Sequence, residues 1–467
     1  MQKTRIVATI GPATQSLEMM TALYKSGASF FRMNMSHGDH ASHQKTADLA
    51  RAIEKKEGGF VGLICDLCGP KIRIGDFEGD AVTLKKDQKF ILTTRKIIGT
   101  EKEVYINYPS LTKDLKPGNK ILLEDGKKCL VVTKVLNDTD IETKVVYGGL
   151  TKSRRGVNIP NANLSISALT PKDKKDLAWG LTQDFPYFAI SFVRTAKDVR
   201  DLRKILVAKK SQAKIIVKVE TPEAVNHIDE IIAEADAIMV ARGDLAVEVG
   251  PENVPYIQKQ IIRKCNDAGK PVITATQMLE SMVRNQVPTR AEISDVANAI
   301  FDGTDAVMLS EETAVGEFPL ETVQMMARTA LKAESSITTH RRINVTPGNL
   351  VDSVSSSIVH VAEDIEAKLI VALTEYGATA RVISRHRPQQ TIYAFTPHAN
   401  SARQVLLSHG VTPILTTGLT GVTAATEKVQ KELLALKLVK KGDRIILSAG
   451  VPFGKPGSTN MMMVVTI

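Results

Sequence analysis

Lys218, Glu220 and Asp244 are the residues whose types and spacing best suit chemistry on an anion. Lys218 stands two positions before Glu220, and in a strand that spacing puts both side chains on one face. Asp244 follows the next apolar run, Ala237 to Ala241. If the two runs are consecutive parallel strands, the carboxylates of Glu220 and Asp244 stand side by side and repel one another unless they share a cation. A divalent ion, most naturally Mg²⁺, resolves the repulsion, and water and substrate oxygens complete its coordination. An ammonium beside such a metal, with Arg32 and Arg73 available, makes a cluster that spreads negative charge over a transferring phosphoryl group. The other reading is plain ion pairing, Asp244 with Arg242 or Lys218 with Glu220.

Those residues need a scaffold that brings strand ends together. Short β-branched runs at Thr4 to Ile10, Ala28 to Asn34 and Phe60 to Asp66 alternate with amphipathic segments near Ser16 to Ser26 and Asp39 to Lys56, the rhythm of βα units. From Gly75 to about Gly156 the pattern changes to period-two alternation, which predicts an inserted, mainly antiparallel β domain. The βα rhythm then resumes with strands at Tyr187 to Phe192, Lys214 to Glu220, Ala237 to Ala241, Pro271 to Thr276 and Ala306 to Ser310. Eight such units over roughly 250 residues fit a closed (β/α)8 barrel better than an open sheet. The expected division is 1–70 with 167–339 as the barrel, 71–166 as the insert and 340–467 as a smaller α/β domain, with His340 to Asn344 as linker. That last domain has expected strands at Leu369 to Leu373, Thr391 to Phe395, Thr412 to Leu415, Arg444 to Ser448 and Met461 to Ile467.

A parallel barrel carries its active site at the carboxyl ends of its strands. In this chain the expected ends are polar one after another: Arg32 to Gly38, Asp66, Ser191, Lys218 to Glu220, Arg242 to Asp244, Thr276 and Gln277, and Ser310 to Glu312. A helix cap explains any one of them, and for Ser191 it is the favoured reading. Seven around one ring are harder to explain that way.

Together these segments resemble the pyruvate kinase family along the whole chain. The resemblance rests on Ile10-Gly11-Pro12-Ala13-Thr14, Arg32-Met33-Asn34-Met35-Ser36-His37-Gly38, Lys218-Val219-Glu220, Met239 to Leu245, Thr276-Gln277-Met278-Leu279-Glu280-Ser281-Met282 and Met308 to Ala314. It implies an enzyme that transfers the phosphoryl group of phosphoenolpyruvate to ADP in glycolysis. It also implies Mg²⁺, with Mn²⁺ as an alternative, on Glu220 and Asp244, and Lys218 stabilising the moving phosphoryl group and the enolate left behind. Arg32 would grip the phosphate, Thr276 with Gly243 and Asp244 would line the substrate, and Ser310 and Glu312 would help deliver a proton. Asn34, His37, Arg73 and Arg155 would face the nucleotide, and the insert would close as a lid. Relatives are homotetramers.

The chain departs from that family in one informative place. Where many members bind K⁺ through Asp, Thr, Asn and Ser, this chain keeps Asn34, Ser36 and Asp66 but has Leu67 for the Thr and Lys71 for a Glu. The ammonium of Lys71 could replace the monovalent ion, so K⁺ independence is expected; the other reading leaves Lys71 in solvent and K⁺ bound. Glu311 stands where relatives usually have Gly. Thr374 to Ala380 follows a strand and opens a helix, where relatives receive phosphorylated effectors; an ordinary turn explains it equally well.

Composition excludes several other classes. Over 467 residues, 43% hydrophobic and 24% charged content fits a folded multidomain protein rather than a disordered one. The formal charge of +10 raises nucleic acid as a partner, but aromatics are sparse at 4% and no basic block concentrates the charge, so none is expected. No long apolar stretch or export signal is visible, so a cytoplasmic protein without membrane attachment is expected. Four cysteines are too few for a disulfide framework, and Cys65 with Cys68 reads as buried structural cysteine rather than a zinc pair. His37, His40 and His43 read as a solvated helical turn. Gly450 to Pro456 falls one residue short of a Walker loop and reads as a tight turn. A barrel lyase acting on an enolate, and a catalytically silent metabolite- or RNA-binding protein, are the rival functions.

Overall fold

The computed structural model describes residues 2–160, 162, 164–337, 343, 345–419, 421–453 and 459–467. Eight parallel strands, Arg5–Thr9, Ala28–Asn34, Gly62–Asp66, Tyr187–Ile190, Lys214–Val219, Ala237–Ala241, Val272–Ala275 and Ala306–Leu309, close into a barrel. The ring is sealed by the first strand against the eighth, with Arg5 opposite Ala306 and Val7 opposite Met308. Alternate strand residues fill the interior, among them Val7, Phe30, Ile64, Tyr187, Ile216 and Met239, while their neighbours pack against the surrounding helices. This two-sided burial is why the strands read as continuous apolar runs.

Several strands stop one or two residues earlier than their apolar runs suggest. Phe192 and Thr276 have φ of +53° and +67°, a left-handed backbone that breaks the ladder. Glu220 lies between its strand and the cap Thr221 of the helix Pro222–Asn226. Asp244 is not a strand end but sits in the first turn of the helix Arg242–Val249. Glu220, Asp244 and Thr276 therefore stand just beyond the ladders, where backbone geometry is free to aim them, whereas Arg32, Asp66 and Lys218 are held within paired strands.

The insert carries a six-stranded sheet ordered Val157–Asn158, Lys120–Leu123, Lys128–Val135, Asp140–Tyr147, Lys89–Thr93 and Glu103–Tyr105, and a two-stranded ribbon of Ala81–Leu84 with Gly149–Lys152. All its pairs are antiparallel except the last of the six-stranded sheet. It has its own core, with Phe90, Leu92, Ile121 and Leu130 fully buried. The carboxy-terminal sheet runs in the order Val411–Leu415, Ile392–Thr396, Leu369–Leu373, Arg444–Gly450 and Thr459–Thr466, with only its final pair antiparallel. Most of the expected linker, His340, Arg341, Arg342 and Asn344, and the end of the Gly450 to Pro456 turn lie outside the described residues.

This sheet domain docks on the base of the barrel through buried charge. Arg387 donates to Asp305 Oδ1 at 2.8 Å, to Asn266 Oδ1 at 2.8 Å and to the Gly303 carbonyl at 2.6 Å. Among the described residues no helix is long and apolar enough to cross a membrane. The histidine row is a solvated turn only in part, with His37 exposed and His40 partly so. His43 is buried and donates from Nε2 to the His37 carbonyl at 2.9 Å, and His40 stacks on Trp179 and meets Asp176 at 2.8 Å.

Gly62 begins the strand that ends in Asp66, and a methyl group there would run into the Phe30 ring. Gly62→Ala is expected to cost about 1–3 kcal/mol by overpacking. Denaturant midpoints of the two proteins check this.

Candidate active site

Five of the eight strand ends build one charged cluster. Lys218, near the end of the fifth strand, sends its ammonium to Ser191 Oγ at 2.8 Å, Glu220 Oε1 at 2.8 Å and Asp66 Oδ1 at 3.5 Å. Asp66 Oδ2 accepts from Arg32 Nε at 2.6 Å, and Arg32 in turn donates to Thr9 Oγ1 at 3.0 Å. Burial alone lowers the affinity of Lys218 for its proton, but Asp66 and Glu220 outweigh it, so its pKa is raised and the group stays charged. Ser191, read from sequence as a cap, thus belongs to the site: it accepts from Lys218 and donates to the Leu67 carbonyl at 2.8 Å. Only its place at the end of the fourth strand marked it.

Glu220 is fully buried. Its Oε2 accepts the Phe192 amide at 2.8 Å, presented by that residue's left-handed backbone. Burial raises its pKa; Lys218 opposes the shift and the like charge of Asp244 adds to it. Its Oε1, although close to Lys218, has no aligned hydrogen bond. A buried carboxylate oxygen without a proper donor, beside a second acid, fits a hard divalent cation with oxygen ligands. Among the described residues no three His, Cys, Asp or Glu side chains form a complete cage, so such an ion would need oxygens from elsewhere.

The two ion pairs weighed from sequence fare differently. Lys218 does pair with Glu220. Arg242 does not pair with Asp244: it meets Asp295 at 2.7 Å and donates to the carbonyl oxygens of Ala275, Thr276 and Gln277. Arg242 therefore staples its own helix to the end of the seventh strand, and Asp244 is left lining the cavities between barrel and insert. Thr276 is held tightly in turn, its Oγ1 accepting the Gly243 amide at 2.8 Å and donating to the Ala275 carbonyl at 2.6 Å. A β-branched residue at positive φ is strained, and strain of this kind collects at working sites.

At the eighth strand, Glu312 is buried and its pKa is raised by burial, against which the Ser310 and Leu279 amides donate at 2.7 and 3.2 Å. Ser310 Oγ is buried without a partner among the described residues. A cleft of about 690 Å³ joins Gly243, Asp244, Thr276, Ser310 and Glu312 to Asp125, Gly126 and Tyr147 of the insert, and Glu311 faces it from an exposed position.

The remaining residues singled out in the sequence lie outside the lysine cluster. Asn34 stands opposite Asp66 in the ladder, and its Oδ1 accepts the Ser36 amide at 3.1 Å. His37 is exposed. Arg73 and Arg155 sit at the root of the insert, Arg73 donating to the Arg154 carbonyl at 3.2 Å and Arg155 facing Glu124 at 3.4 Å. Lys71 is exposed and makes no ion pair among the described residues; the ammonium against Asp66 is that of Lys218. Lys71 lines instead a gap shared with Asp244, Glu223 and Glu248. The Thr374 to Ala380 segment opens the short helix Ala378–Ser384, with Gly377 at φ +81°. Tyr376 stacks on His398, which also meets Glu375 at 2.8 Å.

Two family models match the chain, the pyruvate kinase barrel domain over residues 1–323 and the pyruvate kinase alpha/beta domain over residues 352–465. A pyruvate kinase of Clostridium acetobutylicum is 42% identical, with 99% of each chain covered. One from Staphylococcus epidermidis is 41% identical, covering 99% of this chain and 80% of its own length. Among solved structures, a pyruvate kinase from Cryptosporidium parvum superposes with a TM-score of 0.92 at 36% identity, covering 100% of this chain and 96% of its own.

The Thr276 hydroxyl, rather than its methyl, is the group that the Gly243 amide needs. Thr276→Ser is expected to stay within about 0.5 kcal/mol of the parent, whereas Thr276→Val, which strands that amide, loses about 1–2 kcal/mol. Thermal denaturation of the three proteins side by side decides it.

Proposed function

Because the chain belongs to the pyruvate kinase family and is a phosphotransferase, we propose that it transfers the phosphoryl group of phosphoenolpyruvate to ADP, yielding pyruvate and ATP, as a step of glycolysis. The observation that carries this reading is the Lys218 ammonium, held by Ser191, Glu220 and Asp66 at the mouth of the barrel.

The bond between phosphorus and the enol oxygen breaks, the phosphoryl group passes to the terminal phosphate oxygen of ADP, and the enolate takes a proton at its methylene carbon. Two anions must meet for this to happen. Lys218 supplies a fixed positive charge beside the path of the phosphorus and stabilises the enolate oxygen as charge develops. Arg32, oriented by Asp66 and Thr9, binds the substrate phosphate with donors those partners leave free. Thr276 and the backbone at Gly243 line the side where pyruvate forms. Ser310 and Glu312 make the proton route: the serine hydroxyl has capacity to spare, and burial favours the protonated form of the glutamate. Glu220 and Asp244 would hold Mg²⁺ or Mn²⁺, which when bound neutralises charge on the substrate's carboxylate and phosphate oxygens.

The insert, residues 71–166, acts as a lid that excludes water so that ADP rather than solvent receives the phosphoryl group. Arg73 and Arg155 would face the nucleotide, with Asn34 and His37 on the barrel side. The Thr374 to Ala380 turn would receive a phosphorylated effector in a cytoplasmic homotetramer; family membership is the support for each of these. K⁺ independence is supported by Leu67, whose buried side chain has no oxygen to offer a monovalent ion; Lys71, exposed on the gap that contains Asp244, would be the charge that replaces it.

Pyruvate formation from phosphoenolpyruvate that requires ADP separates this reading from a barrel lyase, which would not need the nucleotide. In the same assay, Lys218→Met is expected to lower turnover by about a thousandfold, while calorimetry still detects phosphoenolpyruvate binding; turnover close to the parent's would overturn the role. Activity in buffer free of potassium and sodium should equal that with K⁺ added, and strong activation by K⁺ would defeat the monovalent-ion proposal.

A further inference from the structure

Asn158 and Glu248 meet across the boundary between the insert and the barrel. Asn158 Nδ2 donates to Glu248 Oε1 at 2.9 Å. Among the described residues this is the only side-chain hydrogen bond joining the sheets of the insert to the barrel; the one other side-chain tie, from the Arg194 guanidinium to the Leu164 and Ile166 carbonyls, pins the returning linker. Asn158 belongs to the short strand Val157–Asn158, which pairs with Leu122 and Leu123, and the Val157 amide donates to the Ile72 carbonyl at 2.9 Å. It therefore stands where the chain enters and leaves the insert. Glu248 is in the last turn of the helix Arg242–Val249, and the tip of the insert approaches the same turn, where a Cβ on Gly126 would lie 3.9 Å from Val247.

The first turn of that helix holds Asp244, the Gly243 amide bound to Thr276, and Arg242 stapled to the seventh strand. At eight residues the helix is about 12 Å long and moves as one piece. A contact at its far end thus fixes where the insert sits relative to the acid at its near end. The contact is also held at a cost. Burial pushes the Glu248 carboxyl up to about 7, the Asn158 bond works against that shift, and the like charges of Glu223, Asp244 and Glu220 add to it. Buried acids of this kind are weak contributors to fold stability, since replacing them by apolar residues of similar volume is often neutral or stabilising.

We infer that Asn158 and Glu248 form a latch that sets the position of the insert over Asp244, acting as a positioning pair for phosphoryl transfer. This rests on the reading of the insert as a lid over the nucleotide, and the test separates the two. Spin labels are placed at Ile98 on the insert and Tyr256 on the barrel, both exposed, with Cys68→Ser removing the one half-buried native thiol. Their distance is measured by pulsed electron resonance without substrates. N158D, measured well above pH 7 where both carboxyl groups are ionised and repel, should lengthen and broaden the distribution. E248Q keeps the accepting oxygen and should match the parent. N158D/E248Q restores the bond in the reverse direction and should bring the parent distribution back, which no general loss of stability would do.

Kinetically, N158D should raise KM for ADP about tenfold, the scale of a lost hydrogen bond to a charged group, with a smaller change in kcat and none in KM for phosphoenolpyruvate. The double variant should reverse the rise. Distances that do not move in N158D, or that move and are not restored by E248Q, overturn the latch. If N158D does not fold, N158A gives the same reading: a parental distribution there overturns the latch. Distances that shift and recover while KM for ADP stays constant support the latch and count against the nucleotide role of the insert.

Discussion

One ammonium group organises the mouth of this barrel. Lys218 has left water for a site where burial alone would weaken its hold on the proton, and it keeps its charge because Glu220, just past the end of its own strand, and Asp66, two strands away across the fourth, both meet it. Such an arrangement is unforgiving: removing either partner of a buried pair leaves an uncompensated charge, a loss of several kcal/mol. The barrel makes it workable. Asp66, Ser191 and Lys218 are fixed by strands whose other residues are locked in the core, so the charges need not be gathered at the moment of reaction.

The neighbouring groups follow from the same constraint. Glu220 accepts the amide of Phe192, a left-handed residue two positions past the fourth strand. Thr276 accepts the Gly243 amide, which requires another after the seventh. Each departs from strand geometry where the ladder ends, and each is tied down by a hydrogen bond that the departure makes available. Local strain and site geometry here have one origin, the need to aim polar groups inward across a ring built from apolar runs.

The barrel, its eight strands and the carboxy-terminal sheet were legible because two-sided burial writes itself as short β-branched runs. Lys218, Glu220 and Asp66 were legible because each stands within or directly after such a run. Asp244 was found but set on the wrong element, since a helix that starts without a capping side chain leaves no mark at the boundary. Ser191 is ambiguous in sequence because a serine at a strand end caps as often as it binds. In the histidine row the stacking of His40 on Trp179 and the burial of His43 are not legible, because both depend on residues far along the chain. Lys71 marks a limit: its charge could be read from the sequence, but not its exposed place on the gap shared with Asp244.

The seam between Arg5–Thr9 and Ala306–Leu309 bears on how the molecule is made. On a ribosome adding roughly 5–20 residues each second, the first strand emerges tens of seconds before the partner that covers its open edge. The insert meets no such delay, because its strands pair only among themselves. During synthesis the nascent polypeptide therefore carries a finished β module on a half-built cylinder with an unpaired, apolar margin, the kind of surface that chaperones shield.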